Sequence, residues 1–160
     1  MNQNGTVQVI TGFNHTSFTV PDVGQAERFW SDVLGFDSSG IVERRGAWVE
    51  KVTGVAGAAI RVVHLHGYGH HMEFIQYLEG SREKSTDLPD RPGVGHVCLE
   101  VEDIGETERR LLAAGATRLG TMTKIGDPEM TPCIAGYLRD PNGIIIELLE
   151  IGHPGRRDVS

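Results

Sequence analysis

The chain has 160 residues, a formal net charge of −7 and two cysteines, Cys98 and Cys133. An acidic balance without a cluster of Lys or Arg excludes the electrostatic surface that nucleic-acid-binding proteins need. The cysteines lack the spacing of a zinc finger, and no apolar run approaches the roughly 20 residues of a membrane-spanning helix. The first residues lack the basic and apolar regions of a signal peptide. We therefore expect one cytoplasmic domain, with no membrane contact and no nucleic-acid partner.

The first predicted elements are a strand over residues 13–20 and a helix that follows it. Phe, Thr and Val dominate the strand, as is typical of β structure. Asp22 and Gln25 have the spacing of a capping box at the start of the helix, and Gly35 suits the left-handed residue that ends it. Three extended stretches are then predicted, near residues 38–45, 58–66 and 71–78.

A polar segment that contains Pro and Gly follows, and we take residues 81–92 as a linker. A second predicted strand covers residues 94–101. Asp103 and Glu106 repeat the capping-box spacing at the start of the next helix, and Gly115 suits its end. Further extended stretches are predicted near residues 117–124, 133–138 and 144–151, the last two joined by a tight reversal at Asp140-Pro141-Asn142-Gly143.

The second set of elements repeats the first in sequence. The segment GFNHTSFTVPDVGQAER, from Gly12, aligns with GVGHVCLEVEDIGETER, from Gly93. The order β-α-β-β-β therefore occurs twice, which predicts an α+β domain of two modules, over residues 11–80 and 93–152. The coinciding pairs are Gly12/Gly93, His15/His96, Val20/Val101, Asp22/Asp103, Gly24/Gly105, Glu27/Glu108 and Arg28/Arg109.

Two histidines and two carboxylates occupy matching positions in this repeat. His15 and His96 coincide in the first strands, and Glu73 and Glu147 lie in the apolar last strands, MEFI and IIIELL. A carboxylate in so apolar a run is costly to bury unless a cation or hydrogen bonds compensate it. Two imidazoles and two carboxylates suit Zn²⁺, Ni²⁺, Co²⁺, Mn²⁺ or Fe²⁺. Each residue alone is typical of an ordinary strand, but the matched pairs together predict one divalent metal site.

Four further histidines precede Glu73 in the segment HLHGYGHH, residues 64–71. The two glycines predict a hairpin there. We expect its histidines to be exposed to solvent at the tip, with the alternative that one of them reaches the cavity.

These segments resemble the vicinal oxygen chelate superfamily, which includes glyoxalase I, methylmalonyl-CoA epimerase, extradiol dioxygenases and bleomycin-resistance proteins. The resemblance spans about residues 11–152. It implies two tandem βαβββ modules in an open, U-shaped, eight-stranded mixed sheet with helices outside, and a homodimer. It also implies metal positions at His15, Glu73, His96 and Glu147. The segments that carry it are NHTSFTVPDVGQAERFWSDVLGF, HHMEFIQY, PGVGHVCLEVEDI and YLRDPNGIIIELLE.

The activity implied by the resemblance is that of a metal-dependent lyase, isomerase or epimerase. Such an enzyme abstracts a proton next to the carbonyl of a small carbonyl or thioester substrate and stabilises the enolate or enediolate. Glu147 or Glu73 is the base in a glyoxalase-like interpretation. Glu50, in the second-strand region WVEKV, is a separate base in an epimerase-like interpretation.

Two alternatives stay open at the level of sequence. The segment YLRDPNGIIIE also resembles extradiol ring-cleavage dioxygenases, but those enzymes use two His and one carboxylate, so Glu73 argues against that activity. The other alternative is a non-catalytic resistance protein that binds a drug or metabolite. Such proteins typically lack the complete ligand set, and its presence here favours an enzyme.

Overall fold

The computed structural model describes residues 9–126 and 131–152. No helix in these two ranges is long and apolar enough to cross a membrane. The helices are α1 (Val23–Arg28), which continues as a π-helical turn over Phe29–Val33, α2 (Ala47–Thr53) and α3 (Ile104–Ala113). The strands are β1 (Thr16–Thr19), β2 (Asp37–Ser38), β3 (Val42–Arg44), β4 (Ile60–Gly67), β5 (His70–Tyr77), β6 (His96–Glu100), β7 (Thr117–Arg118), β8 (Thr123–Ile125), β9 (Cys133–Arg139) and β10 (Ile145–Ile151).

The strands form two sheets with the same topology. The first sheet has the order β1-β5-β4-β2, with β3 also paired to β4, and the second has the order β6-β10-β9-β7, with β8 also paired to β9. In each sheet the first strand of the module runs parallel to the last, and the other pairs are antiparallel. The expected α+β class and the tandem modules are confirmed.

The strand count differs from the expected eight because the second strand of each module is split. Both β2 and β3 pair with β4, and both β7 and β8 pair with β9, which gives two five-stranded sheets. Between β2 and β3 the backbone passes Gly40 at φ +80°, a left-handed conformation that interrupts a strand. Within the described residues, β1 and β6 are edge strands of separate sheets, so hydrogen bonding does not join the modules into one sheet.

The caps of α1 and α3 follow the predicted spacing. Asp22 Oδ1 accepts the N–H of Gln25 at 3.0 Å, and Asp103 Oδ1 accepts the N–H of Glu106 at 2.8 Å. The N–H of Asp22 itself donates to Asn142 Oδ1 at 3.2 Å, which ties the start of α1 to the second module. The residues after the two helical segments are left-handed as expected, at Gly35 (φ +78°) and Gly115 (φ +97°).

One hydrophobic core joins the two modules. Trp30, fully buried in the π-helical turn, contacts the ring of Phe74 on β5 with centroids 5.3 Å apart. Its indole Nε1 donates to Asp140 Oδ2 of the second module at 3.0 Å. The buried residues of this core are Val20, Val23, Ala26, Phe29, Trp30, Leu34, Phe36, Val63, Leu65, Met72, Phe74, Ile104, Leu111, Ala116, Leu138, Ile144, Ile146 and Leu148.

The predicted reversal at residues 140–143 is present and is organised by a buried carboxylate. Asp140 Oδ1 accepts the N–H groups of Asn142 and Ile144, each at 2.8 Å. Gly143 has φ +100°, and its N–H donates to the carbonyl of Asp140 at 3.1 Å. Burial raises the pKa of the Asp140 carboxyl despite the donors that surround it.

The prediction of a strand at WVEKV was wrong, because this segment forms helix α2. Gly46 at φ +111° and Gly54 at φ +72° bound the helix. Val49 is fully buried and packs beside Ile60 and Tyr77 of the first sheet. The β-branched residues of the segment favour a strand in isolation, and this packing overrides the preference.

Candidate functional site

The carboxylate of Glu73 lies in the middle of the first sheet. Its register neighbours are Ser17 on β1 and His64 on β4. Register neighbours share one face of a sheet, and so do residues two apart along a strand, which brings His15 to the same face. Phe74, the next residue, points the other way and is buried in the core.

Two imidazoles direct Nε2 at Glu73 and use Nδ1 elsewhere. His15 Nε2 lies 3.4 Å from Glu73 Oε1, and its Nδ1 lies 2.6 Å from Asn14 Oδ1. His64 Nε2 lies 3.7 Å from Glu73 Oε2, and its Nδ1 lies 3.1 Å from His71 Nε2. When the Nδ1 proton is donated to a neighbour, the Nε2 lone pair is available to a ligand. Metal-ligating histidines usually have this kind of outer partner.

Glu147 occupies the equivalent position in the second sheet. Its register neighbours are Cys98 on β6 and Tyr137 on β9. His96 Nε2 lies 3.1 Å from Glu147 Oε2, and the ring of His96 lies 5.1 Å from that of Tyr137. The His–Glu pair is thus repeated, but a thiol and a phenol flank it where the first module has a hydroxyl and an imidazole.

Both groups that flank Glu147 stay protonated at neutral pH. Burial, the charge of Glu147 and a hydrogen bond to that carboxylate raise the pKa of the Cys98 thiol to about 11. Burial and then the charge of Glu147 raise the pKa of the Tyr137 phenol. The second pair is therefore bordered by neutral groups.

The histidines before Glu73 are not all exposed, and His64 faces Glu73, so the prediction that the whole group is exposed was wrong. His66 and His70 are exposed, whereas His64 and His71 are partly buried. The rings of His66 and His71 stack with centroids 4.2 Å apart. Burial, followed by repulsion from His66 and His64, lowers the pKa of His71, so this imidazole is neutral at neutral pH.

A cleft runs along the edge strands β1 and β6, with compartments of about 730 Å³ and about 550 Å³. Thr16, Phe18 and His96 line both compartments. Ser17, the register neighbour of Glu73, lines the larger, and Cys98, the register neighbour of Glu147, lines the smaller. Glu73 and Glu147 do not themselves line either compartment, but each lies beside a register neighbour that does.

The four predicted ligands lie as two pairs. In residues 9–126 and 131–152, no three His, Cys, Asp or Glu side chains are grouped so that they could hold one ion. Within the pairs the donor atoms are 3.4 Å and 3.1 Å apart. Neighbouring ligands of an octahedral ion with bonds of about 2.1 Å are roughly 3.0 Å apart. The donor types and their spacing in each pair fit a divalent ion, and binding of one ion by both pairs stays a prediction.

Glu50, predicted as a separate base, lies on α2 rather than on a strand. Its Oε2 accepts the N–H of Gly57 at 3.0 Å. Gly57 lines the larger compartment, so the Glu50 side chain supports a loop at the border of the cleft. Its role as a base stays a prediction.

Sequence analysis did not identify which hairpin histidine lies beside Glu73, and it missed Tyr137 as a neighbour of Glu147. The hairpin could have indicated the position of His64. Its turn residues Tyr68 and Gly69 have φ +52° and +76°, as in a two-residue turn of type I′. Counting outward from that turn brings His64 opposite Glu73.

Named relatives cover most of the chain. An ethylmalonyl-CoA/methylmalonyl-CoA epimerase of Cereibacter sphaeroides is 28% identical over 149 residues, 89% of this chain and 100% of that protein. A lactoylglutathione lyase of Pseudomonas putida is 24% identical over 162 residues, 86% of this chain and 84% of that protein.

The fold also has close counterparts among solved structures. A glyoxalase family protein from Bacillus cereus superposes with a TM-score of 0.79 at 23% identity, over 92% of this chain and 98% of that one. The sequence profile of the Glyoxalase/Bleomycin resistance protein/Dioxygenase superfamily matches residues 12–148. The chain therefore belongs to the Glyoxalase/Bleomycin resistance protein/Dioxygenase superfamily.

Proposed function

We propose that this chain is a divalent-metal-dependent enzyme that removes a proton next to a carbonyl, as an epimerase or isomerase of small carbonyl or thioester substrates does. The observation that carries the proposal is the duplicated pair: His15 contacts Glu73 and His96 contacts Glu147 at equivalent points of two like sheets. The named relatives, an epimerase and a lyase, support the same range of activities.

The proposed ligands of the ion are His15, Glu73, His96 and Glu147. Their nitrogen and oxygen donors suit Zn²⁺, Ni²⁺, Co²⁺, Mn²⁺ or Fe²⁺. When bound, the ion supplies positive charge that stabilises negative charge developing on the substrate oxygen.

Proton transfer is assigned to one of the two paired carboxylates, with Glu147 preferred. Both oxygens of Glu73 are faced by imidazole nitrogens, and the Glu73 side chain is 16% exposed. In Glu147, Oε2 faces His96 and the other flanks are a neutral thiol and phenol. A base has to reach the substrate proton, and the Glu147 side chain, which is 23% exposed, is more accessible than that of Glu73. Glu50 is the second candidate, as a separate base.

The cleft favours a substrate with little negative charge. Among the described residues that line it, the only Lys or Arg is Arg139. Its guanidinium donates to the main-chain carbonyls of Ser85, Asp87 and Gly143, at 3.0, 2.6 and 2.9 Å. This cation is therefore used to hold the linker and the β9–β10 turn, and small uncharged carbonyl compounds are the first substrates to test.

The test combines metal analysis with exchange of substrate hydrogen for solvent deuterium. We expect the purified chain to contain about one divalent ion and to exchange hydrogen at the carbon next to the carbonyl, first in uncharged hemithioacetals and acyl thioesters. The 2-oxo acids, which carry a negative charge, are tested next. Chelation should abolish exchange, and the ion should restore it. Tight ligand binding that survives chelation, without exchange, would identify a binding protein. Oxygen uptake with a catechol would identify the dioxygenase alternative.

The homodimer and the cytoplasmic location stay predictions. Sedimentation of the purified chain tests the first: a mass near twice 17.5 kDa is expected. A mass near 17.5 kDa at micromolar concentration would contradict it.

A further inference from the structure

We propose that His64 is an additional ligand of the divalent ion, so that the first module offers three donors and the second offers two. This inference rests on the proposed metal site and adds a residue to it. It also makes the first module the stronger half of that site.

The position of His64 follows from the register of the first sheet. His64 lies directly across from Glu73 on β4. Its Nε2 faces one oxygen of Glu73 at 3.7 Å, while His15 Nε2 faces the other at 3.4 Å. Two imidazoles and one carboxylate form a donor set that binds first-row transition metals. In the described residues these side chains touch pairwise rather than converging on one point.

The second nitrogen of each imidazole supports the same role. His64 Nδ1 lies 3.1 Å from His71 Nε2, and His15 Nδ1 lies 2.6 Å from Asn14 Oδ1. With the Nδ1 protons donated there, both Nε2 lone pairs face a carboxylate oxygen. Two acceptors in that arrangement repel unless positive charge lies between them. His64 therefore has both the orientation and the outer partner of a metal ligand.

The second module supplies the internal comparison. Tyr137 stands across from Glu147 where His64 stands across from Glu73. A phenol is a weaker ligand for a divalent ion than an imidazole nitrogen. The substitution His64→Tyr therefore gives the first module the flank of the second, and Tyr137→His is the matched reverse change.

The experiment uses the full chain, stripped with chelator and titrated with Co²⁺. Proton NMR of the loaded protein should show three paramagnetically shifted imidazole N–H signals, from His15, His64 and His96. His64→Tyr should leave two signals and weaken Co²⁺ binding by roughly 10- to 100-fold in calorimetry. His70→Ala, at an exposed imidazole outside the stacked pair His66 and His71, should change the affinity by less than about twofold.

Two shifted signals in the wild type, with His64→Tyr binding Co²⁺ within about twofold of wild type, would overturn the inference. His64→Gln keeps a polar side chain of similar reach and replaces His64→Tyr if circular dichroism shows that the latter is unfolded. Three signals without substrate deuterium exchange would refute the proposed function alone. Exchange with only two signals would refute the role of His64 alone.

Discussion

The two sheets hold the same His–Glu pair in different surroundings. In the first, imidazoles contact both oxygens of Glu73. In the second, Glu147 contacts His96 and is flanked by Cys98 and Tyr137. Duplication of the backbone therefore preserves the position of the pair, and the register neighbours determine which other groups face each carboxylate.

The first helices of the two modules also differ at one equivalent buried position. Trp30 of the first module donates to Asp140 of the second, at 3.0 Å. Leu111, at the equivalent point of α3, is fully buried and has no side-chain donor. The hydrogen bond from Trp30 to Asp140 thus joins the modules, and Leu111 cannot form an equivalent hydrogen bond to the first module.

The largest expected effect is on the rate of substrate exchange, and it should distinguish Glu147 from Glu73. Glu147→Gln should lower the rate of substrate deuterium exchange by about 10²- to 10⁴-fold, as expected for loss of a base. Glu73→Gln should mainly weaken metal binding, by roughly 10- to 100-fold, because both of its oxygens face imidazole ligands of the proposed site. Exchange rates and metal content of both variants, measured together, check the prediction. Equal losses of rate at saturating metal would contradict the division of roles.

The next effect concerns Cys98, whose pKa of about 11 compares with an ordinary value of 9.0. At pH 8 such a thiol holds about 100-fold less thiolate, the reactive form. Alkylation of Cys98 in chelator-stripped protein should therefore be about 100-fold slower than that of a free thiol. Glu147→Gln removes the neighbouring charge and should speed it. Mass spectrometry of a Cys133→Ser background isolates the Cys98 signal, and rapid alkylation there would contradict the expectation.

The hydrogen bond between Trp30 and Asp140, which joins the modules, should contribute to the free energy of unfolding. Trp30→Phe leaves Asp140 Oδ2 buried without its donor and removes part of a fully buried ring. We expect the free energy of unfolding to fall by about 2–3 kcal/mol. Urea unfolding followed by circular dichroism measures it. Leu111→Ile, a substitution of equal volume at the equivalent position, is the matched control and should cost less than about 1.5 kcal/mol.

The pH dependence of that junction has a definite sign. Because burial raises the pKa of Asp140, the folded chain binds its proton more tightly than the unfolded chain does. This contribution to stability is greatest at acid pH and is lost as the pH rises through the folded pKa. Asp140→Asn does not titrate, so its deficit relative to wild type should be larger near pH 4 than near pH 7. A deficit that grows with pH would contradict this assignment.

The sequence was sufficient for the features that repeat. The capping residues Asp22 and Asp103, the reversal at Asp140 and the two His–Glu pairs all follow from local spacing or from the alignment of the modules. These features depend on residues close in sequence or on strands whose pairing the repeat implies.

Features that depend on tertiary packing could not be predicted in the same way. Helix α2 exists because Val49 is buried against the first sheet, although its β-branched residues favour a strand. The flanking positions of His64 and Tyr137 depend on strand register, which the hairpin turns set. The position of His64 opposite Glu73 can be predicted only if Tyr68 is recognised at a turn position that normally favours Asn or Gly.

Substitution of Tyr68 should have the smallest effect on stability, and it also tests how the hairpin of the first sheet supports the proposed metal site. Tyr68 has φ +52°, an unfavourable conformation for a bulky residue, and its hydroxyl donates to the carbonyl of Leu34 at 2.8 Å. Tyr68→Phe removes this bond and should lower the free energy of unfolding by about 1 kcal/mol. If the bond also anchors the hairpin that carries His64, Co²⁺ affinity should fall with it, whereas Tyr137→Phe should leave that affinity unchanged. Equal changes in the two variants would show that the Tyr68 anchor has no influence on the metal site.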